Sequence, residues 1–157
     1  HNGKGQVVAA GTVEQLEAFA AKPPSRTRLF PLSVAGAFHT VHMEPAVDHL
    51  REVAAAMPTT TPSVALLSNL DGNVVTDGRE FANRLVNQVA HPVRWDLCMD
   101  TMVERSVTGL LELAPAGTLT GIAKRNLKGV ELFNLNTPDQ IPAAREFVAA
   151  HSSKENA

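Results

Sequence analysis

At 157 residues and 16.8 kDa the chain suits a single domain, since a folded chain of this size buries roughly 70% of the surface that its unfolded form exposes. A hydrophobic fraction of 44%, a charged fraction of 19% and a mean hydropathy near zero belong to a globular protein and exclude a disordered or membrane-spanning chain. The net charge of −2, from 14 basic and 16 acidic residues spread without long blocks, leaves no electrostatic footprint for nucleic acid.

No apolar run approaches the roughly 20 residues that span a bilayer, no basic amphipathic helix suits a membrane surface, and no signal-peptide pattern opens the chain. The single cysteine, Cys98, rules out an internal disulfide and fits a reducing compartment, so the cytoplasm is the expected location. The opening His1-Asn2-Gly3-Lys4-Gly5 lacks an initiator methionine, which raises the expectation of a piece of something longer.

In chain order, Gln6 to Ala10 reads as an apolar strand. Thr12 with Gln15 resembles a capping box, and Leu16, Phe19 and Ala20 repeat at helical spacing up to Pro23-Pro24. Leu29 to Val34 reads as a strand, with Phe30, Leu32 and Val34 alternating against Pro31 and Ser33. The turn Gly36-Ala37-Phe38-His39-Thr40 follows. Pro45 then opens a helix with Val47, Leu50, Ala54 and Met57 on one stripe.

Val64 to Leu67 is a short continuous apolar run that predicts a strand buried on both faces, with Ser68-Asn69 at its end and a tight turn at Asp71-Gly72. Asp77 with Glu80 opens a capped helix through Val89, closed by His91-Pro92. The next helix carries Trp95, Cys98, Met99 and Met102 at i, i+3, i+4 and i+7. Val107–Leu113 and Val130–Leu135 read as strands around a short helix ending at Lys124-Arg125. A terminal helix spans 138–150, with a polar, fraying tail at 151–157. Strands alternating with helices argue an α/β fold with a mainly parallel sheet.

In such a sheet, ligands gather at the carboxyl ends of the strands, where His39 and Asn69 both fall. An imidazole there is either a solvated turn residue or a base aimed at a hydroxyl. Gln88 shares a stripe with Phe81 and Leu85, so an amide lies among core positions; it either ties down a neighbouring loop or orients a catalytic group. His39-x-x-His42 lacks the glutamate of a zincin and argues weakly for metal. Cys98 shares its stripe with Trp95 and Met102, as core packing does. None of the seven serines stands in a G-x-S-x-G frame, so a base at 39 has no nucleophile in this chain.

Six motifs stand in register: Gly5-Gln-Val-Val-x-Ala-Gly11, Gly36-Ala-Phe-His39-Thr with Met43-x-Pro45-Ala46, Ser68-Asn69-x-Asp71-Gly72, Leu85-x-x-Gln88, Pro92-Val-x-Trp95, and Pro115-Ala-Gly-x-Leu119-x-Gly121-x-x-Lys124. Together they make the chain similar to the C-terminal half of the malonyl-CoA:acyl carrier protein transacylases of bacterial type II fatty acid synthesis. They also resemble the related acyltransferase domains of polyketide synthases.

The resemblance implies an α/β-hydrolase-like core carrying a small ferredoxin-like subdomain. Residues 1–27 would be the end of that subdomain, 28–150 the end of the core, and 151–157 a tail. It implies transfer of malonyl from coenzyme A, through a serine ester, to the phosphopantetheine thiol of acyl carrier protein, with no metal or redox cofactor. His39 matches the family's catalytic base, and Gln88 the position whose backbone carbonyl holds that histidine. Asn69 is expected to brace the loop behind the ring. Phe38 is expected to favour malonyl over methylmalonyl, because malonyl users carry Ala-Phe before the histidine; core packing is its plain alternative. The nucleophilic serine and the arginine that pairs with the malonyl carboxylate belong to the family's first half, so a partner or precursor would have to supply them. A non-catalytic carrier-protein-binding fragment and an acyl-CoA hydrolase are the alternative readings.

Overall fold

The computed structural model describes residues 1–152. Its elements are helices α1 (Val13–Ala21) and α2 (Glu44–Ala55), a hairpin of β1 (Leu66–Leu67) and β2 (Val74–Val75), helices α3 (Gly78–Gln88) and α4 (Trp95–Glu104), and a closing β3 (Gly109–Leu113), α5 (Thr118–Asn126), β4 (Glu131–Leu135) and α6 (Ile141–His151). No helix among the described residues is long and apolar enough to cross a membrane.

The closing unit is a parallel pair. β3 and β4 run side by side from Gly109 opposite Glu131 to Leu113 opposite Leu135, with α5 as the crossover. Side chains alternate across a strand, so the facing pair Leu110 and Leu132 points one way and the pair Leu111 and Phe133 the other. On the first face Leu110 and Leu132 pack with Trp95 and Met102 around Met99, Ile122, Ala123 and Leu127 of α4, α5 and the turn after it. On the second, Phe133 meets Phe147 of α6 at 5.5 Å between ring centroids. The result is a helix–sheet–helix sandwich.

Glu112, on the same face as Leu110, locks α5 in place. Its carboxylate accepts the backbone N–H groups of Gly117, Leu119 and Thr120 and the Thr120 hydroxyl, all at 2.8–2.9 Å, meeting donors that a helix start leaves unpaired. Thr120 has one hydroxyl proton, and that goes to Glu112. Its 2.8 Å contact with the Asn134 side chain therefore requires the amide to turn its NH2 toward Thr120.

The second unit joins α2, α3 and the hairpin. Val47, Val86 and Ala90 form its buried cluster, and the Arg79 guanidinium donates to the Ala54 and Met57 carbonyls at the end of α2. Asp77 caps α3 by accepting the Glu80 N–H at 2.7 Å, as its sequence signature predicts, and Thr12 with Gln15 forms the expected capping box on α1. At the hairpin turn Gly72 has φ +74, and a Cβ there would stand 2.4 Å from the Leu97 carbonyl carbon, so only glycine fits.

Several expectations are corrected. Residues 6–10 and 29–34 form no strand, because a strand exists only where a neighbour accepts its hydrogen bonds; among the described residues none runs beside 7–10 or 29–34, and Gln6 makes only an isolated bridge with Gly3. The run 64–67 is not buried on both faces: only Leu66–Leu67 pair, antiparallel with Val74–Val75, and Val64 is 73% exposed. The chain folds back at Asp71-Gly72, so the run joins a two-stranded hairpin and not the parallel sheet. On α3 the buried stripe is rotated from the expected one: Leu85 is exposed, while Val86, with Ala90 in the turn after the helix, clusters with Val47 of α2. On α2 only Val47 is buried, and Met57 at the far end is exposed. Helix α6 runs one residue beyond its predicted end, to His151; residues 153–157 of the expected tail lie outside the described residues.

Candidate active site

The turn 36–40 docks on the end of α3. A helix leaves its last carbonyls without intrahelical partners, and position 39 meets two of them: the His39 N–H donates to Val89 O at 2.8 Å and ring Nδ1 to Gln88 O at 2.7 Å. To reach both, the backbone of His39 turns into the left-handed region, φ +65, where a non-glycine residue is uncommon and persists only when its surroundings hold it. The Thr40 hydroxyl closes the turn by donating to Ala37 O at 2.6 Å, and accepts the His42 N–H that begins the short turn Val41–Met43 leading into α2.

This arrangement settles the chemistry of the ring. A carbonyl accepts and cannot donate, so the proton sits on Nδ1 and the neutral imidazole keeps its lone pair on Nε2. The Nδ1 side of the ring faces the carbonyl end of α3. His39 is exposed, so its ring is open to a reacting group.

Gln88 divides its two roles between backbone and side chain. Its carbonyl holds His39, while its amide Nε2 donates to His91 O at 2.9 Å and Pro92 O at 3.0 Å, closing the turn that follows the helix. His91 reinforces that turn, donating from Nδ1 to Asn87 O at 2.8 Å. The side chain therefore ties down the following turn, and the backbone carbonyl holds the His39 ring.

Asn69 does not meet the 36–40 turn. Its carbonyl accepts the Arg94 N–H at 2.8 Å and its side-chain oxygen the Cys98 thiol at 3.5 Å, so it braces the start of α4, the element against which its own hairpin turn packs. With Gln88, Ser68 and Phe81 it lines a small cavity. Phe38 is 52% exposed and has no part in the core.

Other groups are accounted for. Arg84 on the cavity wall is already held by Glu80 at 2.6 Å and Asp71 at 2.9 Å, which leaves it unsuited to binding a substrate carboxylate. Cys98 is 1% exposed, and burial, aided by the nearby Asp71 and Asp96 carboxylates, pushes its thiol up, away from nucleophile chemistry. The Ser68 hydroxyl accepts the Leu70 N–H, and no serine among the described residues is hydrogen-bonded to His39. Among the described residues no three metal-ligating side chains converge. Sequence reasoning missed the Val89 carbonyl and the left-handed backbone at 39, neither of which has a residue-level signal. It also missed Glu112, whose signal was a lone acid in an apolar strand five residues ahead of Gly117.

No family model matches the chain. The curated malonyl CoA-acyl carrier protein transacylase of Mycobacterium tuberculosis H37Rv is 48% identical over 137 residues, covering 87% of this chain and 45% of that protein. The crystal structure of MCAT from the same species superposes with a TM-score of 0.87 at 46% identity, over 91% of this chain and 47% of that one. A complex described as a type II PKS acyl-carrier protein with its malonyl-transacylase, PlMCAT:AntF, matches with a TM-score of 0.73 at 28% identity, over 83% of this chain and 41% of that one. The chain spans about half the length of the curated relatives it matches, their C-terminal portion.

Proposed function

Since the chain belongs to the malonyl CoA-acyl carrier protein transacylase family over the part of that family's length it spans, we propose that it supplies the histidine-bearing part of a malonyl-transfer centre. The reaction is transfer of malonyl from coenzyme A to the phosphopantetheine thiol of acyl carrier protein, in fatty acid or polyketide synthesis. His39 Nε2 takes the proton of a serine hydroxyl as that oxygen attacks the malonyl thioester, and the resulting imidazolium returns the proton to the departing coenzyme A thiolate. In the second half, the same nitrogen deprotonates the carrier thiol as it attacks the serine ester, and the proton goes back to the serine oxygen. Gln88 O holds Nδ1–H throughout, standing where a hydrolase triad places a carboxylate.

The observation that carries this reading is the 2.7 Å contact between His39 Nδ1 and Gln88 O, since it leaves Nε2 as the only basic nitrogen of the ring. The serine and the carboxylate-binding arginine come from the polypeptide that corresponds to the rest of the family. Malonyl-CoA and acyl carrier protein are the substrates, and the carrier complex among the structural neighbours supports the second of these. Phe38 sets acyl selectivity. Residues 1–27 belong with a separate subdomain, which accords with α1 having no buried residue, and 28–150 with the core. The cytoplasm is the compartment, a reducing setting that suits the free, buried thiol of Cys98.

The test is a chimera joining the first half of the M. tuberculosis relative to this chain, assayed for malonyl transfer from malonyl-CoA to holo acyl carrier protein. Transfer is expected, and His39→Ala should lower kcat/KM by about 10³-fold or more. A chimera that folds but transfers nothing, or a His39→Ala loss below about tenfold, removes the proposal.

A further inference from the structure

We propose that Thr40 is a positioning residue of the candidate site: its hydroxyl holds the backbone of His39 in the left-handed conformation from which both the N–H and the ring reach the end of α3. The proposal rests on the transacylase reading for its effect on malonyl transfer, and on the geometry of this chain alone for its effect on the ring.

A non-glycine residue at φ +65 stays there only when its surroundings hold it. The bonds to Val89 O and Gln88 O fix where His39 lies, but they do not fix how the chain enters and leaves it. The Thr40 hydroxyl does. It donates to Ala37 O, two residues before His39, at 2.6 Å, and accepts from the N–H of His42, three residues after it, at 3.3 Å. One oxygen therefore joins the approach to the histidine and the exit from it.

The hydroxyl has no second arrangement. Ala37 O only accepts and the His42 N–H only donates, so the proton points at Ala37 and a lone pair at His42. In an ordinary four-residue turn the fourth N–H would bond to the first carbonyl. Here no backbone hydrogen bond joins Thr40 to Ala37 among the described residues, and the side chain takes its place. Branching at Cβ leaves that side chain few choices of χ1.

Thr40 also reaches back to α3 by a second route. Its carbonyl accepts the Met43 N–H at 3.0 Å, which starts the Val41–Met43 turn into α2, and Val47 of α2 packs with Val86 and Ala90 at the end of α3. The path from α3 through His39, Thr40 and α2 to α3 is closed, and the Thr40 hydroxyl is a link that one substitution removes without touching the histidine or the helix. Without it His39 can relax to an ordinary backbone conformation and lose the Gln88 carbonyl. A neutral ring freed from that carbonyl carries its proton on either nitrogen, and only the Nδ1–H form leaves Nε2 as a base.

The test compares Thr40→Val, which keeps the shape and removes the hydroxyl, with Thr40→Ser, which keeps the hydroxyl and removes the methyl group. Nitrogen-15 spectra of the histidine-labelled chain at about pH 8.5, where an ordinary imidazole is neutral, report which nitrogen of each ring is protonated. The signal missing from His39→Asn identifies His39. The unsubstituted chain and Thr40→Ser should show it protonated on Nδ1, and Thr40→Val should raise its Nε2–H form by about tenfold or more. In the covalent chimera, Thr40→Val should lower kcat by at least about tenfold with KM for malonyl-CoA within about threefold, and Thr40→Ser should keep kcat within about threefold of the parent. Circular dichroism checks each fold, and Thr40→Ala replaces Thr40→Val under the same criteria if the valine variant does not fold. A His39 ring that stays protonated on Nδ1 in Thr40→Val, or a Thr40→Ser as impaired as Thr40→Val, overturns the proposal. A chimera that transfers no malonyl, in a chain whose ring responds to Thr40→Val as expected, sinks the transacylase reading and leaves Thr40 its place. An active chimera that Thr40→Val does not impair does the reverse.

Discussion

A histidine with φ +65 and a ring bonded to a helix carbonyl shows how much of a side chain's chemistry is set outside it. Gln88 O accepts the hydrogen bond from Nδ1–H, which leaves the lone pair on Nε2, and Val89 O accepts that of the backbone N–H. Phe38, next to it, makes no core contact, and its ring lies by Gly36, where a Cβ would stand 3.6 Å from the ring edge. Under the proposed malonyl-transfer reading, the ring fills the volume that an α-methyl on the acyl group would need. In the chimera, Phe38→Ser should raise the ratio of kcat/KM for methylmalonyl-CoA over malonyl-CoA by on the order of tenfold, the usual value of one methyl group in a pocket. An unchanged ratio assigns the ring no part in selectivity.

Among the elements, α5 depends on a residue that belongs to another. Burial by itself raises the Glu112 carboxyl, but the N–H groups of Thr120, Leu119 and Gly117 and the Thr120 hydroxyl outweigh it and hold the pKa at about 2, below the ordinary 4.5. A depressed folded-state pKa contributes stability that is fully present above about pH 4.5 and is lost as the pH falls toward about 2. Glu112→Gln keeps the shape and loses the charge, so it should destabilise the protein by on the order of 1–3 kcal/mol at neutral pH. The variant's denaturant midpoint should also vary less between pH 5 and pH 2.5 than that of the unsubstituted protein. Equal acid sensitivity in both would locate the effect elsewhere. The caps of α1 and α3 were legible in the sequence because Thr12 with Gln15 and Asp77 with Glu80 are local, three residues apart. Glu112 was not, because its partners are fixed by how a strand and the following helix pack. The stripe on α3 was misplaced for a related reason: Leu85 and Val86 are both apolar, and only the position of α2 decides which is buried.

For the molecule as a whole, the balance between buried and exposed apolar surface is the property with consequences. Large apolar side chains are exposed from Val7 through Val41 with none buried among them, and others such as Val64, Leu85 and Val103 are exposed further on, while the buried clusters lie in α2, α3, α4 and the β3–α5–β4 unit. The chain alone should therefore bind a dye such as anilinonaphthalene sulfonate in its folded state, and lose that signal when the complementing half is present; a folded chain that binds none would show the surface to be masked. From the sequence alone came the helices and their caps, the parallel β3–β4 pair, the turn at Gly72 and the residues of the candidate site, because spacing, glycine and capping chemistry are properties of neighbours along the chain. Tertiary structure alone decided that 7–10 and 29–34 remain unpaired, that Asn69 serves α4, and that the His39 backbone N–H donates to Val89 O. A hydrogen bond or a buried face needs a partner at a particular place in space, and no spacing along a sequence specifies that place.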